Sequence, residues 1–405
     1  FHSGEERIVG GIAQEIVERL VALGGSPGHV RDSSDYVASI TPFDPEVHKA
    51  LLFEMMAESG VDLLLHAYFL DALCDERGAL RGARVATVGG VREYEAAVTI
   101  DASADAFVAA SAGVALQLGD ERGRVQPASL MFRISHVDLA ATAAYVRAHP
   151  DEMRTSLAPE ARDAASLTAV AGLYELWNAA RERGDVAVPR ELVSFFISPY
   201  ADEVTVNMTR VVDIDPLDPD DLTRAEIEAR AQAMRLLAFF RRDVPGFANA
   251  RIAATAAQIG IRESRRIVGA YTLTGDDVLQ ARTFPDAVAR SAYPIDIHNP
   301  TGSGTTTFRL PPGASYEIPY RCLVPARVDA LLVAGRCIST THEALASTRL
   351  TPTVMTLGQA AGTAAALCAA RGLAPRDVPA LELRATLERD GVDLRRPALA
   401  REARA

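Results

Sequence analysis

Lysine is almost missing from this sequence: of its 42 basic residues, Lys49 is the only lysine and the rest are arginine. A Schiff base needs a lysine at a fixed place, and so does the phosphate loop G-x-x-x-x-G-K-[ST]. Lys49 falls in a charged amphipathic stretch from Pro45 to Gly60 that reads as solvent-facing. Pyridoxal-phosphate and P-loop chemistries are therefore excluded. Cysteine is scarce too. Cys74, Cys322, Cys337 and Cys368 lie far apart, with no C-x-x-C and no His-x-x-x-His, so no structural zinc, iron–sulfur, dithiol or other metal site is expected. They read as small hydrophobes in a reducing, cytoplasmic compartment. Basic charge is also in deficit, with 53 acidic residues against 42 basic and a net charge of −11. A phosphate backbone or an anionic bilayer would be repelled, so the expected partner is a small molecule rather than nucleic acid or membrane. The opening from Phe1 shows neither a basic n-region nor an apolar h-region, so no signal peptide is expected and the chain reads as a fragment.

What is present is globular. At 405 residues and 48% hydrophobic, the chain has material for two or three domains of roughly 100–200 residues each. Apolar positions Ile8, Ile12, Ile16, Leu20 and Leu23 predict a first helix that stops at Gly24-Gly25, and a second runs from Pro45 to Gly60. Residues 61–105 read as strands joined by turns, the tightest at Gly89-Gly90, with the last strand feeding a turn at Asp101. SLMFRISHVDL reads as a strand, Leu222 to Arg242 as a long helix, and Asn249 to Gly260 as another helix. Short strands return in IPYRCLVPARVDALLVAGRCIS, before one last helix and a polar tail. Leu350 to Ala370 carries no charge and contains Gly358-x-x-x-Gly362. Its Thr, Gly, Ala and Gln content indicates a closely packed buried helix rather than a membrane span.

The strongest constellation is LLVAGRCISTTHEALASTRLTPTVMTLGQAAGTAAAL, residues 331–367. An apolar strand ends in Ala334-Gly335, a polar loop follows, and Thr351-Pro352-Thr353 opens a Gly/Ala-rich helix. A glycine and a free helix N-terminus at the carboxyl end of a strand suit an anion or an electron-rich heterocycle. This run resembles the C-terminal signature of FAD-dependent oxidoreductases with the glutathione-reductase-like fold. IVGGIAQEIVERLVALGG, GVDLLLHAYFLDAL, TIDASADAFVAASAGV, PGFANARIAATAAQIGIRESRRIVGAYTLTGDDV, YPIDIHNP and IPYRCLVP resemble the same family in order.

The resemblance implies an α/β, three-layer FAD/NAD(P)-binding fold, discontinuous over residues 1–127 and 326–405, with an inserted mixed-sheet substrate-facing domain at 128–325. It implies FAD as cofactor, met by Asp101, Ala102, Ser103 and Asp105, by Gly335 and Arg336, and by Met355, Thr356, Gly358, Gln359, Ala360 and Gly362. There are two departures. The family's N-terminal βαβ unit with its G-x-G-x-x-G turn is absent, and its D-A-T-G-D reads Asp101-Ala102-Ser103-Ala104-Asp105. Alanine for glycine is tolerated at negative φ and strained at positive φ. Arg336 either neutralises a pyrophosphate or pairs with an acidic helix face. Thr356 and Gln359 either touch the cofactor or cap the helix. Gly358 and Gly362 are expected to pack closely.

On the substrate side the candidates are His298 in Asp296-Ile-His298-Asn299-Pro300, His342, Asn207, Tyr320 with Arg321, and Arg265 within the Arg262, Arg265, Arg266 cluster. Histidine suits proton removal as a flavin accepts a hydride, and His298 is the leading general base. The expected activity is FAD-dependent hydride transfer from a small organic substrate. The alternative is a flavin-fold protein that has lost its cofactor and serves as a binding or interaction module.

Overall fold

A computed structural model describes residues 1–394 apart from residues 5 and 77. Residues 395–405, the polar tail and the end of the expected second flavin segment, lie outside the described residues. The chain forms a mixed α/β fold whose helices follow from local chemistry. Gly11–Ala22 buries Ala13, Ile16, Val17 and Leu20, a stripe at helical spacing. Ile12 and Leu23, read from the sequence as part of that stripe, are exposed. Pro45–Glu58 starts where the Asp44 carboxylate accepts from the Glu46 amide and Pro45 supplies a preset φ. Pro219–Asp243 has acids in its first turn and Arg241 and Arg242 in its last, matching the helix dipole at both ends.

Two packed regions hold the molecule together. One is a five-stranded antiparallel sheet in the order 251–255, 132–135, 203–206, 193–197, 169–172. Trp177, Phe195, Phe239, Phe240 and Phe247 form its aromatic core. The other core gathers Leu331–Val333, Tyr316, Ile318, Leu357, Ala361 and Leu383. At its centre Leu331–Val333 pairs in parallel with Thr99–Asp101, and Thr351–Arg371 packs on both strands. Ala67–Cys74, Leu80–Thr87 and Gly90–Glu95 form a separate antiparallel meander.

The structure corrects several expectations. Residues 249–260 do not form a helix: Arg251–Thr255 is the edge strand beside Phe132–Ser135. Its alanines suggested helix, but pairing with a buried strand decides. The segment 61–66 forms no strand, and Val61, Leu63, Leu64 and Leu65 are exposed. A further helix, Ala380–Arg389, precedes the tail and buries Leu383 and Leu387. Cys74 is exposed, unlike the other three cysteines.

Candidate functional site

Parallel pairing brings two strand ends together, because the Ala334 amide donates to the Asp101 carbonyl at 3.0 Å. Beyond it, Gly335 turns with φ +97°, and a Cβ there would lie 3.8 Å from Ala104. Asp101 organises the adjoining loop. Its buried carboxylate accepts from the Ser103 amide at 3.1 Å, the Ser103 hydroxyl at 2.6 Å and the Ala109 amide at 3.0 Å. Ala102 and Ser103 remain exposed at the tip. Ala104 adopts φ +66° and Ala106 φ +55°. The alanine substitution noted in the sequence therefore falls in the conformation that strains a Cβ. Asp105, in the loop before Phe107–Ser111, accepts from Arg336 at 2.9 Å. Arg265, expected near substrate, braces this loop instead: its Nε donates to the Asp105 carbonyl at 2.8 Å and its guanidinium lies over Phe107.

The last helix, Thr351–Arg371, begins with no side-chain cap and no acid in its first turn. Its free N–H groups form an electropositive end. Strand-end backbone beside Gly335 and an uncapped helix N-terminus fit an anionic or electron-rich planar cofactor. Other cofactor candidates on this helix hold the fold. Thr356 donates to the Pro352 carbonyl at 3.1 Å, and Ala360 is fully buried. Gln359 accepts from the Ile12 amide at 2.9 Å and donates to the Asp390 carbonyl at 3.4 Å. Gly358 and Gly362 are exposed, and a Cβ on either would meet nothing within 4 Å. The close packing expected of them is corrected: with Met355 they face a cavity of about 780 Å³ beside Gly10 and Gly11.

On the other side of the helix start lies a polar network. Arg210 Nη2 donates to His298 Nδ1 at 2.7 Å. A guanidinium only donates, so the ring carries its proton on Nε2, which faces Asp296 at 3.4 Å. Burial, then Arg262, pushes the His298 imidazole down to about 3, while His298 holds the Asp296 carboxylate well below its usual range against the cost of burial. With Nδ1 engaged and basicity suppressed, His298 is built to position its neighbours, and its expected role as general base is corrected. The His298 amide donates to Gln126 Oε1 at 3.1 Å, and the Gln126 amide to Glu263 Oε2 at 3.1 Å.

Glu263 is fully buried, paired with Arg266 and accepting from His342 Nδ1 at 2.9 Å. His342 is about 8% exposed, and its Nε2 makes no hydrogen bond among the described residues. An imidazole whose inner nitrogen is fixed by a buried carboxylate and whose outer nitrogen is open is arranged for proton transfer. Asn207 enters only through its backbone, its carbonyl accepting from Arg190 at 2.6 Å. Tyr320 stays apart: it is a buried core residue whose hydroxyl donates to the Pro375 carbonyl at 2.8 Å, and Arg321 pairs with Asp286. Sequence reasoning missed Glu263, Gln126, Arg190, Arg210 and Arg349. Only Glu263 carried a signal, as the one acid inside the R-E-S-R-R run.

Among curated proteins no match is found. Solved structures similar to the chain include the flavin-dependent brominase Bmp2 as a triple mutant, with 13% identity, 96% of this chain and 76% of that chain covered, and a TM-score of 0.41. A geranylgeranyl bacteriochlorophyll reductase-like protein from Thermoplasma acidophilum has 10% identity, coverage of 96% and 74%, and a TM-score of 0.41. The myxobacterial chondrochloren halogenase CndH has 12% identity, coverage of 96% and 71%, and a TM-score of 0.41. The sequence model described as FAD dependent oxidoreductase matches residues 1–387. The chain thus belongs to the FAD dependent oxidoreductase family, and its cofactor is FAD.

Proposed function

We propose that this enzyme oxidises a small organic substrate by hydride transfer, with His342 as the residue that takes the departing proton. The buried Glu263–His342 pair carries the reading. When bound, FAD supplies the two-electron acceptor for the hydride. Residues 101–105, Gly335 with Arg336, and the start of Thr351–Arg371 are the groups that would hold it. Glu263 fixes the ring by accepting a hydrogen bond from its Nδ1–H, which leaves the Nε2 lone pair for a hydroxyl or amine proton on the reacting carbon. Charge balances: one hydride leaves for the cofactor and one proton passes to the imidazole.

The glutathione-reductase-like form of the fold and the division into 1–127 with 326–405 and an inserted 128–325 belong to the same reading. The aromatic core of the five-stranded sheet lies within 128–325 and supports an inserted unit, while residues 267–324 pack into the same core as Leu331–Val333. We also infer that the pyrophosphate turn comes from a strand-turn-helix unit outside these residues. The strand Thr99–Asp101 has one hydrogen-bonded neighbour among the described residues, and its Ile100 is exposed. A cytoplasmic location accords with the cysteine content. No observation favours the cofactor-free interaction module.

The test is anaerobic mixing of FAD-loaded protein with a panel of alcohols and amines, followed by bleaching of the oxidised-flavin band. His342→Gln should lower the reduction rate by about a hundredfold or more with flavin content unchanged. An unchanged rate would remove His342 from the chemistry.

A further inference from the structure

The guanidinium groups around His298 outnumber the acids that face them. Arg190, Arg210, Arg262 and Arg349 arrive from four separate segments. Arg190 donates to the Asn207 carbonyl, and Arg210 to the carbonyls of Gly302 and Gly304 and to the neutral His298 ring. Arg262 donates to the Pro127 carbonyl at 2.6 Å and the Ser129 hydroxyl at 2.7 Å. Only Arg349 has a carboxylate within ion-pair reach, Asp296 at 3.8 Å. The charges are close enough to act on one another, since burial and then Arg349, Arg190 and Arg210 push the Arg262 guanidinium well below its ordinary value. Asp296 and Glu191 are the acids that act on Arg190 and Arg210, so four guanidiniums face two carboxylates, a surplus that is costly unless an anion completes the site.

Among the unmet side-chain atoms of this cluster donors outnumber acceptors three to one, the acceptor being Asp296 Oδ1. Arg210 Nε, Arg349 Nε and Gln126 Nε2 are buried donors with no acceptor. Arg210 and Gln126 are each about 1% exposed, so bulk water does not serve them freely. All three atoms donate and none can accept. Arg190, Arg262 and Arg349 are each partly exposed.

We propose that this crevice is the substrate's anion site and that the substrate is a small organic carboxylate, its carboxylate held by Arg210, Arg262 and Arg349 beside Gln126. The inference rests on the oxidoreductase reading only for the word substrate. Planar guanidinium forks match the geometry of a carboxylate, and a bound carboxylate would place the adjoining carbon in the crevice shared with the His298–Gln126–Glu263–His342 network.

The experiment uses FAD-loaded protein and three probes: malonate, its neutral counterpart malonamide, and inorganic phosphate. Melting temperature and the perturbation of the flavin absorbance spectrum are both read. Malonate should raise the melting temperature and shift the spectrum, and malonamide should do neither. A response to phosphate equal to or stronger than that to malonate would overturn the carboxylate assignment. Arg262→Gln should weaken malonate binding about tenfold to a hundredfold with flavin content unchanged. Loss of flavin from Arg262→Gln would mean that the arginines hold the cofactor, and would overturn the inference. Wild-type melting curves need no variant, so absence of any malonate effect also refutes it. That last outcome leaves the oxidoreductase reading standing, because flavin reduction by uncharged substrates would be unaffected.

Discussion

Replacing Glu263 by glutamine tests the centre of the network. The Glu263 and Arg266 side chains are 0% and 3% exposed, and the carboxylate also receives His342 Nδ1 and the Gln126 amide. Glutamine keeps the shape but loses the charge, and it turns an amide N–H₂ toward a donor. Breaking a buried pair by removing one partner costs about 3–5 kcal/mol, because the other charge stays buried. Arg266 retains acceptors in the carbonyls of Thr340 and Gly119, so Glu263→Gln should fall near the low end, about 3 kcal/mol. Urea unfolding followed by circular dichroism measures the loss. Fluorescence of Trp177, buried in the other core, shows whether the damage stays local. The double variant Glu263→Gln/Arg266→Met removes both charges and should recover at least half of the loss. A single variant within about 1 kcal/mol of wild type would refute the claim that this pair is buried and coupled.

Three further perturbations follow from the geometry. Because His298 is held down to about 3, the unfolded chain binds a proton below about 6.5 that the folded one refuses. Its contribution is fully present above pH 6.5 and fades as pH falls toward 3. The stability advantage of wild type over His298→Gln should thus shrink by about 1.4 kcal/mol per pH unit below 6.5, and a constant difference between pH 7 and 5 by denaturant titration would contradict the suppressed basicity of His298. Ala104→Gly relieves a Cβ at φ +66°, and the melting curve should rise by about 0.5–1 kcal/mol after the entropy cost of glycine; a lower melting temperature would show that Ala104 is not strained. Gly358→Ala, on an open helix face, should stabilise the chain by up to about 1 kcal/mol through helix propensity, whereas destabilisation in the same assay would place a neighbour against that face.

The sequence made the cofactor-facing elements legible where composition and pattern coincide. An uncharged run opened by Thr351-Pro352-Thr353 reads as the last helix, and Leu331–Val333 ending at Gly335 reads as a strand because both signals are local. Local signals misled at 249–260, where alanines favoured helix until a partner strand overrode them. Gly358 and Gly362 were ambiguous in kind, since glycine in a helix serves close packing or none. Of the arginine group only Arg262 had a local signature, in the Arg262, Arg265, Arg266 cluster; Arg190, Arg210 and Arg349 obey no spacing rule and join it only through tertiary structure. His298 was visible as a candidate, but its role depends on Arg210, which is 88 positions away. Glu263 lay inside a basic run that resembles a solvated face until burial shows otherwise.

Amide hydrogen exchange with and without FAD tests the account most directly, because it maps where this chain holds its cofactor without requiring the substrate. Loading FAD should slow exchange at residues 101–105, at Gly335 and Arg336, and at the uncapped first turn of Thr351–Arg371, while the aromatic core around Trp177 stays unchanged. Protection confined to other segments, or none in these three under saturating FAD, would contradict the site assigned here.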